Sequence, residues 1–421
     1  MKWIRDIKNT QVLKKLYGEG ARTQLERYEH AMERFEALFG EGDVTFFSTS
    51  GRSEIIGNHT DHNQGMVLAA GIHLDAVACA RKTGDAVVEL VSEGYEGKNT
   101  VDLSDLMFRP RERGTTVSLI RGIAYHMQED LGMNIGGFKA YVTSDVLSGS
   151  GLSSSAAIEV LIYTIFHAFF NGGEIDRVQA AKTSQWAENN YFGKPCGLMD
   201  QCACALGRLV YIDFENREEP KIEGLDFDPA KRGYELMITD VHADHADLTR
   251  EYAAITDEMR AVASFFGKDC LRQVNEPLFY DSLSHLRQHV SDRAILRAMH
   301  FFEENKRVDA AVRAIKEDKI SVFLQAVRES GESSWKLLQN THETGSTAQA
   351  MTLALALSSR LLGTTGACRV HGGGFGGTVL AFVPKEKTEE YETAMNRLFG
   401  ENACRQLFVR PIGTTCVDLN E

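Results

Sequence analysis

Positive charge is in short supply in this 421-residue sequence: 46 Lys and Arg stand against 59 Asp and Glu, a net charge of −13. That balance excludes nucleic acid as the main partner, because a phosphate backbone demands clustered positive charge. A small anionic ligand is not excluded, since backbone N–H groups can cradle one on an acidic protein. Long apolar runs are missing too. No stretch approaches the roughly 18 residues of a membrane span, and the first twenty, MKWIRDIKNTQVLKKLYGEG, are charged throughout. Neither a membrane partner nor a secretory leader is expected. Zinc-type cysteine spacing is also absent. Of eight scattered cysteines only Cys202 and Cys204 make a C-x-C, with Cys196 upstream and no second cluster. Reduced thiols in a cytoplasmic chain are the expectation.

Proline is scarce at 7, whereas the 37 glycines bunch near 149–151 and 372–377. No repeat or low-complexity tract appears. The length exceeds one ordinary core and suggests two domains of about 200 residues. Residues 20–39 carry apolar side chains at helical spacing. VTFFS (44–48), MVLAAGIHLDAVACA, AVVELVS, GFKAYVTSD and RLVYIDF read as strands, and TTVSLIRGIAYHMQEDL and AAIEVLIYTIFHAFF as helices. The polar stretch 214–233 is the best linker candidate, dividing residues 1–215 from 234–421. Beyond it, ELMITDV reads as a strand, residues 249–361 as mainly helical, and ACRVHGGGFGGTVLAFVP as strand, glycine turn, strand.

Three segments carry chemistry. In SGSGLSSSAAIEV (148–160) two glycines let the backbone turn sharply, and serines stand where an apolar helix begins. Free N–H groups and the positive end of the helix dipole make a phosphate cradle there. Neither the Walker pattern nor the dinucleotide fingerprint is present. GRSEIIGNHTDHNQG (51–65) places Arg52, Asn58, His59 and Asp61 close together, donors and acceptors suited to several hydroxyls, as a sugar would need. HGGGFGG (371–377) offers His371 and backbone that turns tightly or passes close to a ligand. Asp200, in NYFGKPCGLMDQ, opens an apolar helical stretch. A carboxylate there caps a helix or serves a hydroxyl as its base.

Together these segments are identified with a known family. GRSEIIGNHTDHNQG resembles the galactokinase signature, usually GR-x-N-L-I-G-E-H-T-D-Y-N-x-G. GLSSSAA resembles that family's phosphate loop, CGLMDQ its catalytic-aspartate segment and GGGFGG its third motif, in the family's order. The resemblance implies an α/β (α+β) fold of two domains with the active site between them. It implies an ATP- and magnesium-dependent sugar-1-kinase, most simply a galactokinase, monomeric or weakly homo-oligomeric. Carried over by position, Asp200 is the base at the anomeric hydroxyl, with Arg52 beside it. Asn58, His59, Asp61, Gly197 and Tyr252 fall at sugar-contacting positions. Gly149, Ser150, Gly151, Leu152, Ser153, Ser154 and Ser155 form the nucleotide loop, and Ser155 and Glu188 match the magnesium-ligand positions.

Departures bear on the substrate. Asn58 stands where the family has a glutamate that contacts the sugar's C6 hydroxyl, and His62 where it has tyrosine. An amide both donates and accepts, so it permits galactose and removes a built-in rejection of a uronic acid. A galacturonate-type or other sugar-1-kinase of the same family is the alternative, the former set against the lack of an extra Arg or Lys in this motif. His371 and Gly373 replace a threonine and an alanine, and GTTVSLIRGI (114–123) lacks the aromatic pair often found before Gly122. ATP is still the default nucleotide. A sugar-sensing regulator without turnover, or mevalonate-type chemistry, fits less well, since the phosphate loop is complete and the opening motif is of the sugar type. His242, Asp244 and His245 in VHADHADL read as rim residues of the sugar pocket rather than a metal site.

Overall fold

The tract MVLAAGIHLDAVACARK forms one strand of 17 residues, β2 below, because its small and branched side chains suit a surface buried on both faces. The computed structural model describes residues 10–146, 151–242 and 249–419. Helices α1 (Thr10–Tyr17) and α2 (Ala21–Phe39) lead into β1 (Thr45–Ile56) and β2 (Met66–Lys82). Then follow β3 (Val87–Ser92), β4 (Asn99–Asp102), α3 (Thr116–Tyr125) and β5 (Phe138–Ser144). Next come α4 (Ser154–Phe170), α5 (Arg177–Ala187), α6 (Met199–Leu206), β6 (Leu209–Asp213) and β7 (Lys221–Leu225). The first sheet runs β12-β1-β2-β5-β3-β4, with β6 and β7 beside the first part of β2. Its β3–β5 pair is parallel.

The second sheet is antiparallel in the order β11-β8-β10-β9. It comprises β8 (Tyr234–Asp240), β9 (Ala367–His371), β10 (Thr378–Pro384) and β11 (Cys404–Leu407); β12 (Thr415–Val417) belongs to the first sheet. Between β8 and β9 lie α7 (Thr249–Phe265), α8 (Glu276–Asp281), α9 (Leu283–Leu286), α10 (Asp292–Lys316), α11 (Ile320–Ser333) and α12 (Ala350–Leu362). Helix α13 (Thr388–Phe399) follows β10. Apolar on nearly every face, α4 is buried against β1, β2 and α6. Among the described residues no helix is long and apolar enough to cross a membrane.

Two expectations change. The strand read at VTFFS continues through GRSE to Ile56, with residues 46–56 all buried. Polar Arg52 and Glu54 tolerate that burial because each is ion-paired, to Asp200 and Arg369. The boundary drawn at 214–233 also runs through paired structure. Within it β7 pairs β6 from Leu209↔Leu225 to Asp213↔Lys221. The chain's end returns to the first sheet, where β12 pairs β1, and buried Arg410 reaches Asp75 on β2 at 2.9 Å. The first sheet therefore draws strands from both sides of that boundary.

Candidate active site

The turn between β1 and β2 is held from behind by α10. Glu304 Oε1 accepts the N–H groups of Gly57 (3.0 Å) and Asn58 (3.3 Å), and Arg307 pairs with its other oxygen at 2.7 Å. Burial opposes the Glu304 charge, but Arg307, His300 and Arg369 overcome it and hold the carboxyl at about 2. Gly57 is required at this corner: with φ near +109°, a Cβ would lie 2.7 Å from the Met66 carbonyl oxygen. His59, at φ +57°, donates from Nε2 to the Gly373 carbonyl oxygen at 2.9 Å and lies over the Tyr252 ring. Burial lowers its pKa, so the ring is neutral near pH 7 and Nδ1 is left as an acceptor.

Asp200 stands in the first turn of α6, facing Arg52 on β1. Arg52 Nε donates to Oδ1 at 2.7 Å and Nη2 to Oδ2 at 2.9 Å, a bidentate pair. Arg52 Nη1 binds the Gly151 carbonyl, and the Ser153 hydroxyl donates to Asp200 Oδ2. Burial opposes ionisation of Asp200, but the charge and hydrogen bonds of Arg52, then Ser153, carry its pKa below the ordinary value. Arg52 is raised in turn: desolvation is outweighed by Asp200. Ser153 takes a left-handed conformation (φ +60°) directly before α4, which turns its hydroxyl toward Asp200 and joins the serine loop to the carboxylate. The Leu152 carbonyl accepts the Arg52 N–H at 3.1 Å.

Asn58 does not face the cleft. It is wholly buried; Nδ2 donates to Glu54 Oε1 (3.0 Å) and the Gly372 carbonyl (2.7 Å). Its Oδ1 accepts from Asn340 Nδ2 (2.8 Å) and Ser334 Oγ (3.3 Å). The cleft is lined instead by Glu54, whose Oε1 also meets fully buried Arg369 at 2.7 Å. His371 is buried as a neutral ring: desolvation, then Arg52 and Arg369, push its pKa well below the usual value. Its Nε2 accepts from the Glu54 N–H at 3.2 Å, so Nδ1 carries the proton and donates to Thr378 Oγ1 at 2.9 Å.

Glu188 begins a π-helical turn after α5 and is 2% exposed. Gln201 Nε2 bridges its Oε2 (2.8 Å) to Glu159 Oε2 (3.1 Å), and Lys194 reaches its Oε1 at 3.3 Å. Burial, then the charge of Glu188, push Glu159 well above the ordinary carboxyl range. Ser155 lies one turn before Glu159 on the same face of α4. A hydroxyl and a carboxylate are hard oxygen donors of the kind magnesium takes with waters and phosphate oxygens. Among the described residues, no group of three or more His, Cys, Asp or Glu is placed to hold a metal.

Arg52, Glu54, His59, Asp61, Gly197 and Asp200 line one cleft of about 220 Å³, together with Gly372 and Gly373. Gly197 is where a side chain would intrude, since a Cβ would lie 2.5 Å from Asp61 Oδ2. Tyr252 stands behind the third motif; its hydroxyl donates to the Gly374 carbonyl at 3.1 Å, and a Cβ on Gly373 would lie 2.4 Å from its ring. Leu152 is buried, while Ser154 and Ser155 are half-buried. Gly149 and Ser150, and Asp244 and His245 of the second histidine cluster, lie outside the described residues. Glu54 and Lys194 were not singled out by sequence reasoning. For Glu54 the signal was present, because the usual signature has asparagine there.

Comparison with known proteins places the chain in a family. Residues 33–82 match the family model described as the galactokinase galactose-binding signature, and residues 118–208 that of the GHMP kinases N terminal domain. In the solved structure of Lactococcus lactis galactokinase complexed with galactose, 98% of the chain superposes on 92% of this one, with a TM-score of 0.78 at 23% identity. Methanococcus jannaschii mevalonate kinase shares the fold at a TM-score of 0.62 and 16% identity, over 99% of its chain and 88% of this one. A galactokinase from Actinobacillus pleuropneumoniae serotype 3 is 29% identical over 391 residues, 96% of that protein and 92% of this chain. A galactokinase from Glaesserella parasuis serovar 5 is 30% identical over 394 residues, covering 97% of that protein and 92% of this chain. The chain belongs to the galactokinase family.

Proposed function

We propose that this protein transfers the terminal phosphoryl group of ATP to the anomeric hydroxyl of galactose, giving galactose 1-phosphate and ADP. The observation that carries this reading is the bidentate Arg52–Asp200 pair, joined through Ser153 to the start of α4. Asp200 orients the sugar hydroxyl and accepts its proton as the bond to phosphorus forms. Arg52 keeps the carboxylate ionised. Three of its five N–H donors are engaged by protein, so two are left for phosphoryl oxygens. The serine loop at the α4 N-terminus suits the nucleotide phosphates.

Magnesium, which Ser155 and Glu188 would hold, supplies neutralisation of phosphate charge. In the cleft, Asp61 and Glu54 join Asp200 as carboxylates, and His59 presents a neutral acceptor. That lining favours a neutral polyhydroxylated sugar over a uronic acid, whose carboxylate would face like charges. The eight cysteines are all free thiols, which suits a cytoplasmic enzyme.

The test is turnover of galactose with ATP and magnesium by the purified protein and by Asp200→Asn. Turnover by the native chain and a rate lower by orders of magnitude in the variant supports the assignment; equal rates overturn it.

A further inference from the structure

The signature usually carries asparagine and glutamate four residues apart, whereas this chain has Glu54 and Asn58. The two residues have changed places. In the fold they touch, Asn58 Nδ2 donating to Glu54 Oε1 at 3.0 Å. An exchange of this kind leaves a carboxylate and an amide four residues apart while placing the charge on strand β1.

The surroundings are built for that arrangement. An asparagine side chain has two N–H donors and two acceptor lone pairs. Asn58 uses all four, on Glu54, the Gly372 carbonyl, Asn340 and Ser334. It has no capacity left for a ligand and is wholly buried. A carboxylate at position 58 would leave the Gly372 carbonyl without its donor. Glu54, although 4% exposed, differs in its bonding. Both bonds from its neighbours, Asn58 and Arg369, go to Oε1, and the residue lines the cleft with Oε2 still available. Arg369, fully buried, fixes the carboxylate in place. Arg52 and Glu54 alternate along β1, so they share a face about 7 Å apart. Asp200 is paired to Arg52 at one end, and Glu54 stands at the other.

We infer that Glu54, not Asn58, is the residue that selects the sugar: its free carboxylate oxygen accepts a hydrogen bond from the hydroxyl farthest from the phosphorylated one, the C6 hydroxyl of galactose. The inference rests on the galactose reading above. It makes the chain a kinase for sugars with a hydroxymethyl arm, discriminating against those in which that arm is a methyl or a carboxylate.

The experiment measures kcat and KM for galactose, 6-deoxygalactose and galacturonate in the native protein, Glu54→Gln and Asn58→Ala, with galactose binding by calorimetry in the absence of nucleotide. A hydrogen bond to a charged acceptor supports a roughly 10- to 100-fold effect. Glu54→Gln should raise the galactose KM and dissociation constant by that factor, with kcat within a few-fold, and shrink the preference for galactose over 6-deoxygalactose. Asn58→Ala should lower the melting temperature and leave that preference intact. If Glu54→Gln melts because Arg369 loses its counter-charge, Glu54→Asp keeps the charge, withdraws the oxygen by one methylene, and should shrink the same preference. Unchanged preference in the folded Glu54 variant, or a preference lost in Asn58→Ala, overturns the inference. A native protein that does not phosphorylate galactose overturns the underlying reading and this inference with it.

Discussion

Arg52 and Asp200 meet as two parallel hydrogen bonds of 2.7 and 2.9 Å across 148 residues of chain. One partner stands on strand β1 and the other in the first turn of α6, so the fold itself fixes their geometry. Asp200→Asn preserves shape and removes the charge that receives the proton. The expected result is a kcat lower by roughly 10²- to 10⁴-fold, with galactose binding by calorimetry within a few-fold of native. A variant that turns over at the native rate rules out the assigned role.

The pH dependence follows from the same pair. Because Asp200 is held below the ordinary carboxyl value, it stays ionised through neutral and mildly acidic pH. The acid limb of kcat/KM should therefore lie below the ordinary carboxylate range. In Arg52→Gln, burial persists without the opposing charge, so the residual activity should lose its acid side at higher pH. A native limb near pH 6 to 7 would mean that the base is some other group.

Glu304 makes a stability prediction. Its folded pKa of about 2 lies below the ordinary value of 4.5, so the unfolded state binds the proton more readily. Its contribution is fully present above about pH 4.5 and is lost as pH falls toward 2. That 2.5-unit difference corresponds to on the order of 3 kcal/mol. Thermal melts of the native protein and Glu304→Gln should differ clearly at pH 7 and converge near pH 2. Parallel curves across that range would remove Glu304 as the anchor of the turn.

Gly197 tests the shape of the cleft. Its missing side chain leaves room for the Asp61 carboxylate, 2.5 Å from where a Cβ would sit. Gly197→Ala should displace Asp61 and raise the galactose KM by about tenfold or more, while the melting temperature moves little. An unchanged KM would show that Asp61 does not need that position.

Much of this was legible in the sequence, for physical reasons. The helix read at 20–39 appears as α2, and the strand–glycine–strand tract as β9 and β10, because apolar periodicity and glycine turns are local signals. The gathering of Arg52, His59, Asp61, Gly197 and Asp200 was approached through motif order alone. The direction in which Asn58 points was not legible. It depends on Asn340, Ser334 and Gly372, between 276 and 314 residues away, which with Glu54 saturate its amide. The return of β12 to β1 was hidden for the same reason, since strand pairing across the whole chain leaves no local mark. The β1 strand was cut short at 48 because polar GRSE looks like a turn until its ion-pair partners are known.

The most direct measurement is ADP release by the purified protein with ATP and magnesium over galactose, galacturonate, N-acetylgalactosamine, arabinose and glucose. The account predicts galactose well ahead of the others, with galacturonate barely used because Glu54, Asp61 and Asp200 all present carboxylates to the cleft. A preference for galacturonate would contradict it, and would mean that the acidic lining does not govern which sugar is phosphorylated.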